Sequence, residues 1–175
     1  SEEHFAELLQ SMEQRLQAYM DAGDPRAVFQ LTYLTFSRHV FENLQQNKFV
    51  HRPWATDMCC RFVEIYMQQV ERWNDQKNDL CSPWKLSFEL MEKRKLNVLQ
   101  AMFLGMNAHI NYDLAFCTLG SCAAQGDVVL LDEKQVLNRT HIQTRYADYL
   151  QINHIGWHSI THIQDAVLNR FHPVL

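Results

Sequence analysis

His109 and Asp113 stand four residues apart, inside the string Gly105-Met106-Asn107-Ala108-His109-Ile110-Asn111-Tyr112-Asp113-Leu114, where an otherwise apolar helical pattern takes up four strongly polar side chains. A helix turns about 100° per residue, so His109 and Asp113 share one face, while Asn107 and Asn111 share roughly the opposite one. A carboxylate at that distance can orient an imidazole, fix its tautomer and raise its basicity, which makes a general base near neutral pH. The alternative is a buried histidine satisfied by its neighbour on the helix. Asn107 and Asn111 can hold a substrate carbonyl through their amides or bond exposed backbone at a helix end or loop.

A second set of candidates is His154, His158 and His162, spaced by four and four, with Asp165 three residues further on. Two histidines at i and i+4 can bind one divalent ion, whereas the outer two of three lie about 12 Å apart along a straight helix. A transition metal could therefore combine His109, Asp113 and His158 if the last helix packs on the one that carries the pair. The alternative is a half-exposed polar stripe. Cys117 and Cys122 follow the pair closely enough for a thiolate to meet His109, against the commoner case of inert buried thiols. Glu-x-x-His, His-Glu-x-x-His, Gly-x-Ser-x-Gly and the glycine-rich phosphate loops are all absent from the sequence. A nucleotide-binding function is set aside on that ground. Tyr66, Phe62, Met102, Phe103 and Met106 are the expected walls of any apolar cavity at the pair.

The elements that must position these residues are helical. With 175 residues, 47% of them hydrophobic and 21% charged, the chain can bury the core of one domain spanning residues 1–175. Only five Gly and four Pro leave few breaks, which favours long helices. The periodicity predicts helices over 2–21, then from an Asp24 cap and Pro25 to about Gln46, with Arg38 and Glu42 as a four-apart pair. Further helices are predicted over about 54–74, over Ser82 to Glu92 with Ser82 as cap, and over about 94–124. The last is predicted over about 140–171, bent at Gly156. Val128–Leu131 is a lone apolar run, and one run makes no sheet. The expected fold is an all-α bundle of five to seven helices around a central helix with a polar centre.

The net charge of −4 argues against a nucleic-acid footprint. Five cysteines without a Cys-x-x-Cys spacing support neither a disulfide framework nor a zinc knuckle. The absence of a long apolar run and of a leader-like start gives the expectation of a cytoplasmic protein with no membrane contact. An apolar outer face on the first helix would mark a homodimer.

The string from Gly105 to Leu114, with Leu99 and Gln100 upstream, resembles the signature of an uncharacterised family, DUF5995. Weaker similarity extends to the aromatic-rich stretch Phe29 to Phe41, to Asp57–Tyr66, to Pro83–Phe88 and to the run from Asp148 to Asn153. The resemblance implies a small, mainly helical domain with a shared polar centre at Asn107, His109, Asn111 and Asp113, and it implies no reaction. His154, His158 and His162 are not part of the pattern.

The residues admit three readings. In the first, the chain is a cofactor-independent enzyme of the lyase, isomerase or cyclase kind, with His109 as base or acid and Asp113 as its orienter. It would perform an isomerisation, cyclisation or elimination on a largely apolar substrate held by Asn107, Asn111, Tyr66, Phe62 and Met106. In the second, His109, Asp113 and His158 bind iron, zinc or manganese for oxidative or hydrolytic chemistry. In the third, the chain is a non-catalytic binding or interaction module.

Overall fold

The first helix, α1 (Glu2–Asp21), follows from a 4-3-4-3 spacing of Phe5, Leu9, Met12, Leu16 and Tyr19, all buried, and from the Ser1 side chain capping the His4 N–H at 3.2 Å. Gly23, at φ +60°, makes the turn that ends it. The computed structural model describes residues 1–76, 79–126, 128–131, 134–137 and 139–171. Among these the fold is an all-α bundle with one small hairpin: α2 (Ala27–Gln45), α3 (Arg52–Asn74), α4 (Ser82–Glu92), α5 (Val98–Ala108), a π-helical turn (His109–Asp113), α6 (Leu114–Ala124), strands β1 (Val128–Leu131) and β2 (Lys134–Leu137), and α7 (Arg139–Arg170).

The helix at the centre is α2, not the one that carries the polar signature. Residues 27–34 are buried without a break, so α2 is covered on all sides, and it packs on α1, α3, α5 and α7. By contrast, α5 and α6 bury one face and expose Phe103, Asn107, Ile110, Asn111 and Phe116 on the other. The polar centre therefore sits on the inward stripe of an outer helix.

Several local expectations change for identifiable reasons. The predicted helix over 94–124 starts later, because Asn97 accepts the Gln100 N–H at 2.8 Å while the Gln100 side chain accepts the Asn97 N–H at 3.0 Å. This reciprocal cap fixes the start at Val98. Asp24 accepts the Arg26 N–H at 2.9 Å and grips the Arg26 guanidinium, so α2 begins at Ala27 rather than at Pro25. α4 includes Ser82 in its first turn, with Cys81 at the cap. Arg38 pairs with Glu13 of α1 at 2.7 Å rather than with Glu42, because α1 lies against α2. The run Val128–Leu131 finds a partner after all, pairing antiparallel with Lys134–Leu137. Helix α7 runs from Arg139 to Arg170 as one element through Gly156. The outer face of α1 carries Glu3, Glu7, Gln10, Glu13, Gln14 and Gln17, so it offers no apolar surface to mark a homodimer. No helix among the described residues is long and apolar enough to cross a membrane.

Two contacts set the frame around the polar centre. A Cβ at Gly105 would lie 2.3 Å from Cγ of Phe29, so glycine there lets α5 press directly on α2. On the far side, the buried carboxylate of Asp148 in α7 accepts the N–H groups of Val50 and His51 at 2.7 and 2.6 Å, which ties α7 to the entry of α3.

Candidate functional site

The helix that carries the signature changes pitch at the site. Over His109–Asp113 it widens to a π-helical turn, and the Leu114 N–H reaches back five residues to the His109 carbonyl. Such single π turns recur at functional sites, because they re-aim side chains within a continuous helix. Here the turn directs both His109 and Asp113 inward, with the two side chains 3% and 0% exposed.

Their geometry fixes the imidazole. His109 Nδ1 lies 2.8 Å from Asp113 Oδ2, and the same oxygen accepts the indole N–H of Trp84, from α4, at 2.7 Å. A carboxylate oxygen only accepts, so Oδ2 takes both bonds, and His109 Nδ1 carries the proton that it donates to Asp113. The lone pair of the imidazole is then on Nε2. That atom is buried and has no hydrogen-bond partner among the described residues, as is Asp113 Oδ1.

Aromatic rings from three helices enclose the imidazole. Phe62 of α3 stacks on it with centroids 3.6 Å apart and planes 5° apart, and Tyr33 of α2 meets it edge-on at 4.2 Å. Phe29, Tyr66 and Trp84 stand at 5.8, 5.8 and 6.0 Å. Burial in this apolar shell pushes the His109 pKa below its ordinary 6.5, and the hydrogen bond and charge of Asp113 offset part of that shift. His109 is therefore a neutral base at neutral pH. Burial also raises Tyr33 and Tyr66 well above the usual phenol range, so both stay protonated. The Tyr66 hydroxyl donates to Gln30 Oε1 at 2.6 Å, and Gln30 Nε2 donates to the Met12 carbonyl at 2.8 Å.

The other sequence candidates divide. Phe62 and Tyr66 pack against the His109 ring, and Met102 is buried in α5, while Met106 is half-buried and Phe103 is 58% exposed. Asn107 and Asn111 face solvent, where Asn111 Nδ2 donates to Asn107 Oδ1 at 2.7 Å. They hold neither backbone nor the inner site, because the helix places them opposite the dyad. Burial pushes the Cys117 thiol up to about 12, and its Sγ donates to the Leu114 carbonyl at 3.3 Å, so it supplies no thiolate to His109. His158 is exposed and lines a cleft between α2 and α7, away from the buried dyad, and donates from Nδ1 to the His154 carbonyl at 2.9 Å. The set His109, Asp113 and His158 is thus not brought together, and no group of three His, Cys, Asp or Glu side chains among the described residues is arranged to hold a metal ion.

Sequence reasoning missed Trp84, Tyr33 and Phe29. Their register in α2 and α4 marks them as core, but nothing local pairs an indole with a carboxylate 29 residues further on.

The profile of DUF5995, a family of unknown function, matches residues 5–175. The chain belongs to this family. No curated protein and no solved structure matches it significantly. The DUF5995 signature string can now be read in three dimensions for this chain. Gly105 admits Phe29, His109 and Asp113 form the inner dyad, and Asn107 and Asn111 form an outer ladder across the π turn.

Proposed function

We propose that this DUF5995 protein is a small-molecule enzyme that moves a proton with His109. The observation that carries the reading is the Nε2 atom of a neutral, tautomer-fixed imidazole, buried and without a partner among the described residues, beside aromatic walls. Asp113 holds Nδ1–H and stabilises the imidazolium formed when Nε2 takes a proton, and Trp84 holds Asp113. The shell of Phe62, Tyr33 and Tyr66 suits a largely apolar substrate with one acidic C–H beside a carbonyl. Isomerisation, cyclisation and elimination are the reaction classes that such a base serves with no further group. Because the dyad is enclosed, substrate entry has to displace part of the aromatic packing.

That same enclosure, with His109 2% and Asp113 0% exposed, favours a second reading in which the dyad is a polar packing centre of a non-catalytic module. Hydrogen exchange on candidate substrates separates the two. A panel of apolar ketones, aldehydes and enones is incubated in D2O with the protein, and deuterium uptake at carbon is followed by NMR. The acid/base reading expects uptake into at least one compound class, slowed about 100-fold or more in His109→Gln, with little change in melting. Absence of uptake across the panel, with loss of the fold in both His109→Gln and Asp113→Asn, would leave the packing reading.

A further inference from the structure

The outward face of α7 is not that of an ordinary surface helix. The chain is 21% charged, yet no exposed residue from Tyr146 to Gln164 is a Lys, Arg, Asp or Glu, and Asp148, the one such residue in that span, is buried. A helix that lies on a bundle normally turns its charges outward. This one turns out Tyr146, Leu150, Trp157 and Ile160, all exposed, with Trp157 74% so. Together with exposed Asn153 and Gln164 they recur at 4-3-4-3-4, the spacing of a helix that pairs along a seam with another helix. The seam is about 27 Å long, and it lies on the side of α7 away from buried Ile152, Ile155 and Ser159.

Loss of charge combined with exposed Trp and Tyr is the composition of an interface core. With Leu168 one turn further on, the apolar side chains of the seam expose roughly 500 Å². Two copies meeting on it would bury on the order of 1,000 Å² of apolar surface, and the polar flanks bring the total to the roughly 1,200 Å² at which stable complexes begin. An uncharged seam also meets its own copy without like-charge repulsion. We infer that α7 is a dimerisation helix, packed antiparallel on α7 of a second copy about a two-fold axis at the level of Ile155. That register sets Leu150 against Ile160 of the second copy and Tyr146 against its Gln164. It also sets Asn153 against Trp157 of the second copy, where the amide oxygen accepts the indole N–H. Parallel pairing would instead face two indoles, which only donate, toward each other.

Sedimentation velocity on the untagged full chain, from about 1 to 100 µM at pH 7.5, tests both the face and the register. The expected wild-type result is a dimer over the upper part of that range. Trp157→Glu should weaken it at least about 30-fold, as loss of a central aromatic anchor does. Leu150→Lys and Ile160→Glu should each weaken it about tenfold or more. All three residues are exposed, so the variants keep the fold, which thermal melting checks. Mixing the Leu150→Lys and Ile160→Glu proteins should restore the dimer, because the antiparallel register places the new lysine against the new glutamate and leaves the other layer as it was. A wild-type monomer at 100 µM, or a dimer indifferent to Trp157→Glu, would overturn the proposal. Failure of the mixture to recover would overturn the antiparallel pairing.

Discussion

The depressed pKa of His109 makes stability depend on pH in a direction that can be worked out. In the unfolded chain the imidazole titrates near 6.5, and in the folded protein burial holds it lower. Between those two values the unfolded state binds one more proton than the folded state, so the stability contributed by a neutral His109 is complete above 6.5 and is lost as the pH falls below it. The slope in that window is about 1.4 kcal/mol per pH unit. For a chain of this size it corresponds to roughly 3–6 °C in Tm per unit, using about 2–4 °C per kcal/mol. His4 works in the opposite sense, its pKa being raised by its hydrogen bond to Glu64, but it is largely exposed and contributes little. The assay is urea denaturation of wild type and His109→Gln at pH 7.5, 6.5, 5.5 and 5.0. Taking the difference between the two proteins cancels the groups that do not contact His109. Wild type should lose stability relative to the variant as the pH drops from 6.5 to 5.5. Parallel curves would mean that His109 titrates alike in both states, and the neutral-base assignment would fall with them.

Gly105→Ala should cost about 1–3 kcal/mol in urea denaturation, because the new Cβ meets the Phe29 ring at 2.3 Å and this clash outweighs alanine's helix preference of about 1 kcal/mol. A neutral result would mean that α5 can slide on α2. Trp84→Phe keeps most of the ring packing but removes the N–H bond to Asp113, a loss of about 1.5–3 kcal/mol. It should also raise the His109 pKa as read by ring NMR, since Asp113 then accepts from the imidazole alone. Asp148→Ala frees the Val50 and His51 N–H groups and should cost about 1–3 kcal/mol, with faster amide exchange at both positions. Native protein should show one reactive thiol at most toward Ellman's reagent, from half-buried Cys81, because burial raises Cys59 and Cys117 and pushes Cys60 up to about 11.

What the sequence made legible is what is local. The His109–Asp113 pair is four residues apart, so helical spacing alone brought it together, and the apolar periodicity placed the first helix over 2–21, where it lies. The capping box at Asn97 and Gln100 was also written in the chain, but the continuous apolar pattern around it hid the break. The hairpin was missed because β2 begins with Lys134 and Gln135 and lacks the apolar alternation that identifies a strand. The π turn was not legible in the periodicity, because the helical segments on either side of it, Val98–Ala108 and Leu114–Ala124, are too short and too apolar for their phases to be fixed separately. Contacts at long separation were beyond reach. Trp84 meets Asp113, Arg38 meets Glu13 and Asp148 meets His51 only because the helices pack as they do. The centrality of α2 was within reach, as eight successive buried positions are the mark of a helix covered on all sides, yet its polar C-terminal half reads as amphipathic.

The same core treats two polar groups differently, and that contrast bears on what the dyad is for. Gln30 is as deeply buried as Asp113, yet both ends of its amide are satisfied, by Tyr66 and by the Met12 carbonyl. Tyr66, which closes that network, also stands 5.8 Å from the His109 ring. Helices able to satisfy one buried amide completely leave, a few ångströms away, two acceptors without donors among the described residues: Nε2 of His109 and Oδ1 of Asp113. Each such atom costs about 1–3 kcal/mol. Tyr19, His51, Trp54 and Ser121 also bury a polar atom without a described partner, but each does so singly. At the dyad the deficit is doubled and of one sign, since both atoms call for a proton or a donor. A packing tether gains nothing from that arrangement, because an apolar pair of similar volume would hold the helices at lower cost. On the acid/base reading proposed above, a base gains from it, because the group that completes the site would then be the substrate's own acidic hydrogen.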